Sequence, residues 1–152
     1  DMIDTNLKGT FLACKFGIKL LNKVKASIIN ISSLAGKRGS KNNSVYCASK
    51  FAVNGFTQAL SKELGEFNIR VNAVCPVYVD TPGLSKALKS VDSPSRGKNK
   101  KKYLKKFTSD NSAMFRLPHT NEIADTCLYL SSDKSSAITG QCINVDCGVL
   151  PS

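Results

Sequence analysis

A chain of 152 residues, 41% of them hydrophobic, can close a single core, and that composition excludes general disorder. No apolar run approaches the ~20 residues that cross a bilayer, so a membrane span is not expected and a cytoplasmic setting is. The net charge of +11 is local: nine lysines and arginines (Lys86, Lys89, Arg96, Lys98, Lys100, Lys101, Lys102, Lys105, Lys106) stand against one acid, Asp92, so this block supplies +8.

In chain order, Ile3, Leu7, Phe11, Cys14, Ile18 and Leu21 recur at steps of three and four, which predicts a helix over about 2–23. ASIINIS (26–32) reads as a strand buried on both faces. A loop rich in Gly, Ser and Asn follows. A second helix is then expected over about 45–66, with Ser44 as N-cap and Val45, Ala48, Ala52, Phe56, Ala59, Leu60 and Leu64 on its inner face. IRVNAVCP (69–76) predicts another buried strand, stopped by proline. The polar, basic stretch to about Leu117 is punctuated by Pro and Gly, with short helices expected near 84–90 and 100–107. A helix over 120–131 is predicted next, with Thr120 as N-cap and Ile123, Ala124, Cys127, Leu128 and Leu130 buried. QCINVD (141–146) reads as a third strand.

Helices alternating with apolar strands imply parallel strands joined by helical crossovers, hence an α/β doubly wound sheet. Three strands make about half of a dinucleotide-binding fold. No G-x-G-x-x-G occurs, and the chain opens on Asp1 inside a helical pattern. Residues 1–152 are therefore expected to be the C-terminal part of one dinucleotide-binding domain, inactive by itself. The six cysteines form no C-x-x-C pair and His119 is the single histidine, so no metal site is expected and the cysteines read as reduced core thiols. The strand between Cys142 and Cys147 would keep that pair apart.

SVYCASK (44–50) sets Tyr46 and Lys50 one helical turn apart on one face. A free phenol has a pKa of about 10, and a cation within ~4–6 Å favours its phenolate, so such a tyrosine can exchange protons with a carbonyl or hydroxyl. Alone, the pair is equally an exposed helix pair. Ser33 bears on the choice, because it falls just past a buried strand, where α/β folds open onto their ligand crevice. Alone, Ser32-Ser33 is equally a turn that ends the strand.

INISSLAG (29–36), YCASK (46–50) and VNAVCP (71–76), with NLKGTF (6–11) before them and SSAITGQCINVDCG (135–148) after, resemble the short-chain dehydrogenase/reductase family. The resemblance covers nearly the whole chain. It implies Tyr46 as general acid/base, Lys50 lowering its pKa and binding the nicotinamide ribose, Ser33 orienting the substrate oxygen, and Asn6 holding a water in a proton relay behind Lys50. PVYVDTP (76–82) corresponds to the family's loop around the nicotinamide carboxamide, which places Pro76, Val77, Val79 and Thr81 at an NAD or NADP cofactor. Two positions depart. Val77 stands where the family generally has glycine, a costly exchange if that position needs an unusual backbone angle or close approach to the cofactor, and Cys147 interrupts the family's Asp-Gly-Gly.

The implied activity is interconversion of a secondary alcohol and a ketone. Residues 83–117, basic at their centre, fall where the family carries its variable substrate loop. They read as a solvated lid, as a contact for an acidic substrate such as an acyl group on an acidic carrier protein, or, with the thinnest support, as a nucleic-acid surface, since only Tyr103 interleaves the lysines. The resemblance also implies pairing of the two long helices between subunits, in a dimer or tetramer. A competing reading is a truncated, non-catalytic relative that serves as a binding scaffold.

Overall fold

The computed structural model describes residues 1–21 and 25–151. Among them a three-stranded parallel sheet has the order β1 (Ala26–Ile31), β2 (Ile69–Pro76), β3 (Cys142–Val145). Ala26 pairs with Ile69 and Ile31 with Val74, and Ala73 pairs with Cys142 and Pro76 with Val145. All three strands run the same way, so their carboxyl ends open on one edge. The α/β reading with crossover connections holds.

The helices are α1 (Gly9–Gly17), α2 (Ser44–Leu64), α3 (Pro82–Ala87), α4 (Lys100–Asn111) and α5 (Thr120–Ser131). A π-helical stretch, Asp4–Lys8, leads into α1, and a 3-10 turn, Ile18–Leu20, leaves it. The helix expected over 2–23 thus reaches residue 20; residues 22 and 23 lie outside the described residues. β2 matches its expected bounds and all eight of its residues are buried. Its side chains alternate between faces. Ile69 and Val71 join Cys14, Leu60 and Leu64 in a core beneath α1 and α2. Arg70 and Asn72 turn the other way, donating to the carbonyls of Ser132 and Ile138 beyond α5. Burying a valine such as Val71 or Val74 fully contributes about 1.5–3 kcal/mol.

Four expectations need correction. β1 is not buried on both faces: β2 flanks it on one side only among the described residues, and Ile31 stays half exposed because it opens onto the cavity described below. On α2, Val45, Ala48 and Ala59 are exposed, while Cys47, Val53, Asn54, Thr57, Leu60, Ser61 and Leu64 face inward. On α5, Leu128 and Ala124 are exposed and Leu130 alone is fully buried. Both N-caps fall one residue earlier than expected, at Asn43 and His119. At α5 the reason is visible: Glu122 Oε2 accepts from the His119 N–H at 2.7 Å, and Arg116 grips both carboxylate oxygens at 2.7 Å. No helix among the described residues is long and apolar enough to cross a membrane. The six cysteines are unpaired.

The chain leaves β3 through a tight turn. Asp146, buried, accepts from the N–H groups of Gly148 and Leu150. Cys147 there has φ 55°, a left-handed conformation costly for any residue with a Cβ. Replacing it by glycine relieves about 1–2 kcal/mol of strain, offset in part by a freer unfolded chain. Cys147→Gly should therefore gain about 0.5 kcal/mol in urea unfolding, and Cys147→Ser should gain nothing. The Glu122 carboxyl is held down at about 2, chiefly by the Arg116 hydrogen bonds. A carboxyl depressed in the folded state stabilises above its unfolded pKa of about 4.3 and loses that contribution as pH falls through its folded value. The stability difference between the parent and Glu122→Gln should accordingly shrink between about pH 4.5 and pH 2.

Candidate active site

Ser33 follows the carboxyl end of β1 in extended conformation and caps the 3-10 turn Leu34–Gly36. Its hydroxyl accepts from the Ala35 N–H at 3.1 Å and donates to the Pro76 carbonyl at 3.4 Å, which ties the end of β1 to the end of β2. Three contacts clamp this turn onto α2. The Ser32 hydroxyl donates to the Lys50 carbonyl at 3.2 Å, and Asn54 Nδ2 donates to the Gly36 carbonyl at 2.9 Å. Third, Gly36 approaches the helix so closely that a Cβ there would lie 2.6 Å from the Lys50 carbonyl oxygen and 2.8 Å from Asn54 Nδ2. The hydroxyl of Ser33 is thereby set against the first turns of α2.

Tyr46 and Lys50 lie on those turns. The Lys50 ammonium sits over the Tyr46 ring, 5.9 Å from its centroid, and donates to the Ile31 carbonyl at 2.9 Å. Burial pushes the Lys50 pKa down, since a desolvated ammonium is disfavoured. Asn6 reaches the same helix from the π-helical stretch: its Nδ2 donates to the Ser49 hydroxyl at 3.1 Å, and Ser49 donates to the Tyr46 carbonyl at 2.7 Å. π-turns inside helices often mark functional positions. Here the π-helical stretch presents Asn6 to the Ser49 hydroxyl.

Ser33, Tyr46, Lys50, Pro76, Val77, Val79 and Thr81 all line one cavity of about 610 Å³. Asn6 lies behind it, against α2, and not on its wall. Further lining comes from α3 and α4, including Leu84, Leu88 and Phe107. Among the described residues, no acidic one lines it. Thr81 caps α3, accepting from the Leu84 N–H at 3.2 Å, which leaves its own O–H free to donate. Tyr78 is largely buried and its pKa is pushed up, first by burial and then by a hydrogen bond with Tyr103, so it stays a neutral phenol.

These residues fit a nicotinamide dinucleotide. The cavity is roomy, free of carboxylates and supplied with Lys50 and the Thr81 hydroxyl as donors. Val77 has no left-handed backbone, so the expected cost of valine for glycine does not arise as strain. Cys147 is strained but does not line the cavity, which moves that departure from cofactor affinity to stability. Sequence reasoning missed Asn54, Ser49 and Gly36. The signal available was the polar stripe Ser49, Asn54, Thr57 and Ser61 along α2, with Asn54 at i+4 from Lys50; the close approach of Gly36 leaves no local mark.

A family described as enoyl-(acyl carrier protein) reductase matches residues 1–150. The 3-oxoacyl-[acyl-carrier-protein] reductase of Chlamydia muridarum is 39% identical over 153 residues, covering 98% of this chain and 55% of its own length. The ligand-free aldohexose dehydrogenase of Thermoplasma acidophilum superposes with a TM-score of 0.85 at 34% identity, over 97% of this chain and 57% of that one. A 4-hydroxyisoleucine dehydrogenase complexed with NADH superposes with a TM-score of 0.76 at 28% identity, over 96% and 56%. The chain spans about half the length of the curated relatives it matches.

The clamp at Gly36 has a direct test. Gly36→Ala should destabilise the protein by about 1–3 kcal/mol, the range for overpacking, because the nearest atom it meets is the Lys50 carbonyl oxygen, which is backbone and cannot swing away. Gly39→Ala, with nothing within 4 Å of the added carbon, should change stability little. Chemical denaturation of both variants reads the difference.

Proposed function

The chain belongs to the short-chain dehydrogenase/reductase family, and from that premise we propose that the full-length protein is an NAD- or NADP-dependent oxidoreductase interconverting a secondary alcohol and a ketone. The observation that carries this reading is the convergence of Ser33, Tyr46 and Lys50 on one cavity with the 76–81 loop. The cofactor, when bound, accepts a hydride from the carbinol carbon or returns it to the carbonyl carbon. In the reducing direction the Tyr46 hydroxyl gives its proton to the carbonyl oxygen as the hydride arrives at carbon. In the oxidising direction it takes that proton back. Lys50, cationic and fixed over the Tyr46 ring, stabilises the negative charge left on the tyrosine oxygen. Ser33, which lines the cavity, turns its O–H from the Pro76 carbonyl to the substrate oxygen when substrate binds. Asn6 keeps α2 in register through Ser49 and stands where a proton relay would leave the site. Val77, Val79 and Thr81 hold the nicotinamide end.

Residues 83–117 supply part of the cavity wall. Leu84, Leu88 and Phe107 line the cavity, while eight of the nine cations between Lys86 and Lys106 are exposed and Lys100 is half-buried. A lid with an apolar inner face and a cationic outer face suits an apolar group carried by an anionic partner. A finer reading follows: the substrate is an acyl group on an acidic carrier protein, in keeping with the 3-oxoacyl-[acyl-carrier-protein] reductase of Chlamydia muridarum among the relatives. For assembly, the exposed apolar residues of α1 and α2 (Phe11, Phe16, Val45, Phe51) form the face that a second copy would cover, in a dimer or tetramer.

In the full-length protein, Tyr46→Phe should lower turnover by about 10²-fold or more, as loss of a general acid/base does, and leave NADH or NADPH binding intact. Oxidation of either dinucleotide with 3-ketoacyl thioesters and cyclic ketones reads the rate. Unchanged turnover in Tyr46→Phe would sink the assignment.

A further inference from the structure

The loop that the proposed function assigns to the cofactor is held from α4. Val77, Tyr78, Val79 and Thr81 line the cavity, and Tyr78 and Asp80, which flank Val79, are gripped by α4. The Tyr78 and Tyr103 hydroxyls are 3.1 Å apart, and the Phe107 ring meets the Tyr78 ring edge-on at 4.9 Å. Lys100 Nζ donates to Asp80 Oδ1 at 2.5 Å and to the Ser85 hydroxyl at 2.8 Å. Lys100, Tyr103 and Phe107 stand at i, i+3 and i+7, one stripe of the helix. The far end of this segment is fixed separately, where the Ser112 hydroxyl and the Met114 N–H donate to the Cys147 carbonyl. The outward lysines of α4 stay in solvent.

Tyr103 and Lys100 line no part of the cavity. They nonetheless hold the residues on either side of Val79. We propose that Tyr103 and Lys100 are positioning residues for the cofactor, acting through Tyr78 and Asp80 to fix the 77–81 loop, so that seating of α4 and binding of the dinucleotide are one coupled equilibrium. This rests on the oxidoreductase reading. Coupling of this kind is reciprocal. A seated α4 tightens the dinucleotide by the same factor by which the dinucleotide favours the seated α4. The lid over the substrate and the grip on the cofactor are therefore a single unit.

The test uses the full-length protein, NADH and NADPH titrated by fluorescence, and tryptic cleavage between Lys98 and Lys106 as the measure of α4 seating. Tyr103→Phe keeps the ring and removes one hydrogen bond, and should weaken dinucleotide binding about fivefold, the factor that ~1 kcal/mol represents. Lys100→Ala removes a half-exposed ion pair and should weaken it about twofold; Lys100→Arg should restore it. Saturating dinucleotide should slow cleavage in the parent and slow it less in Tyr103→Phe. A merely structural role for Tyr103 would lower the melting temperature without changing dinucleotide affinity. Parent-like affinity in Tyr103→Phe, with cleavage indifferent to dinucleotide, overturns the proposal alone. A parent protein that binds neither dinucleotide overturns the oxidoreductase reading, and the proposal with it.

Discussion

Ser33 and Tyr46 belong to different elements, and what joins them is the contact of the Gly36 turn with the backbone of α2. A side chain at 36 would collide with the Lys50 carbonyl. Because there is none, Ser32 and Asn54 close hydrogen bonds across the gap. The turn is thereby held against α2, and Ser33 lines the same cavity as Tyr46 and Lys50.

The rest of the site follows from the parallel sheet. Parallel pairing of β1 with β2 brings Pro76 beside Ser33, and the Ser33–Pro76 hydrogen bond seals the two strand ends. The loop leaving Pro76 must cross the mouth of the cavity before Thr81 caps α3. Its length and exit direction are set by β2, buried along all eight residues. The chemistry thus hangs on the most buried strand, and the variable part, 83–117, hangs on the chemistry. An apolar inner face and a cationic outer face in that segment meet two different demands, packing over a substrate and remaining in water.

Much of this was legible in the sequence. β2 reads to the residue because a strand covered on both faces has no polar interruption except where Arg70 and Asn72 find carbonyl partners. Ser33, Tyr46 and Lys50 could be grouped because their order and spacing carry the family's resemblance, and all three line one cavity. The inner face of α2 did not. Its outer stripe of Val45, Ala48 and Ala59 is more apolar than the inner one, where Ser49, Asn54 and Thr57 are buried through hydrogen bonds. A periodicity argument assumes one apolar face, and this helix has two. The grip of α4 on the 77–81 loop was hidden for another reason: a block of lysines masks the i, i+3, i+7 stripe of Lys100, Tyr103 and Phe107, whose partners Asp80 and Tyr78 lie 20–29 residues upstream.

The central claim is that this cavity passes a hydride between a dinucleotide and a carbonyl carbon, with Tyr46 handling the proton. Reduction of a 3-ketoacyl thioester by the full-length protein with dinucleotide deuterated at the nicotinamide C4 tests it most directly. The account predicts one deuterium on the carbinol carbon per turnover. Product formed with no deuterium from the cofactor at that carbon would contradict it.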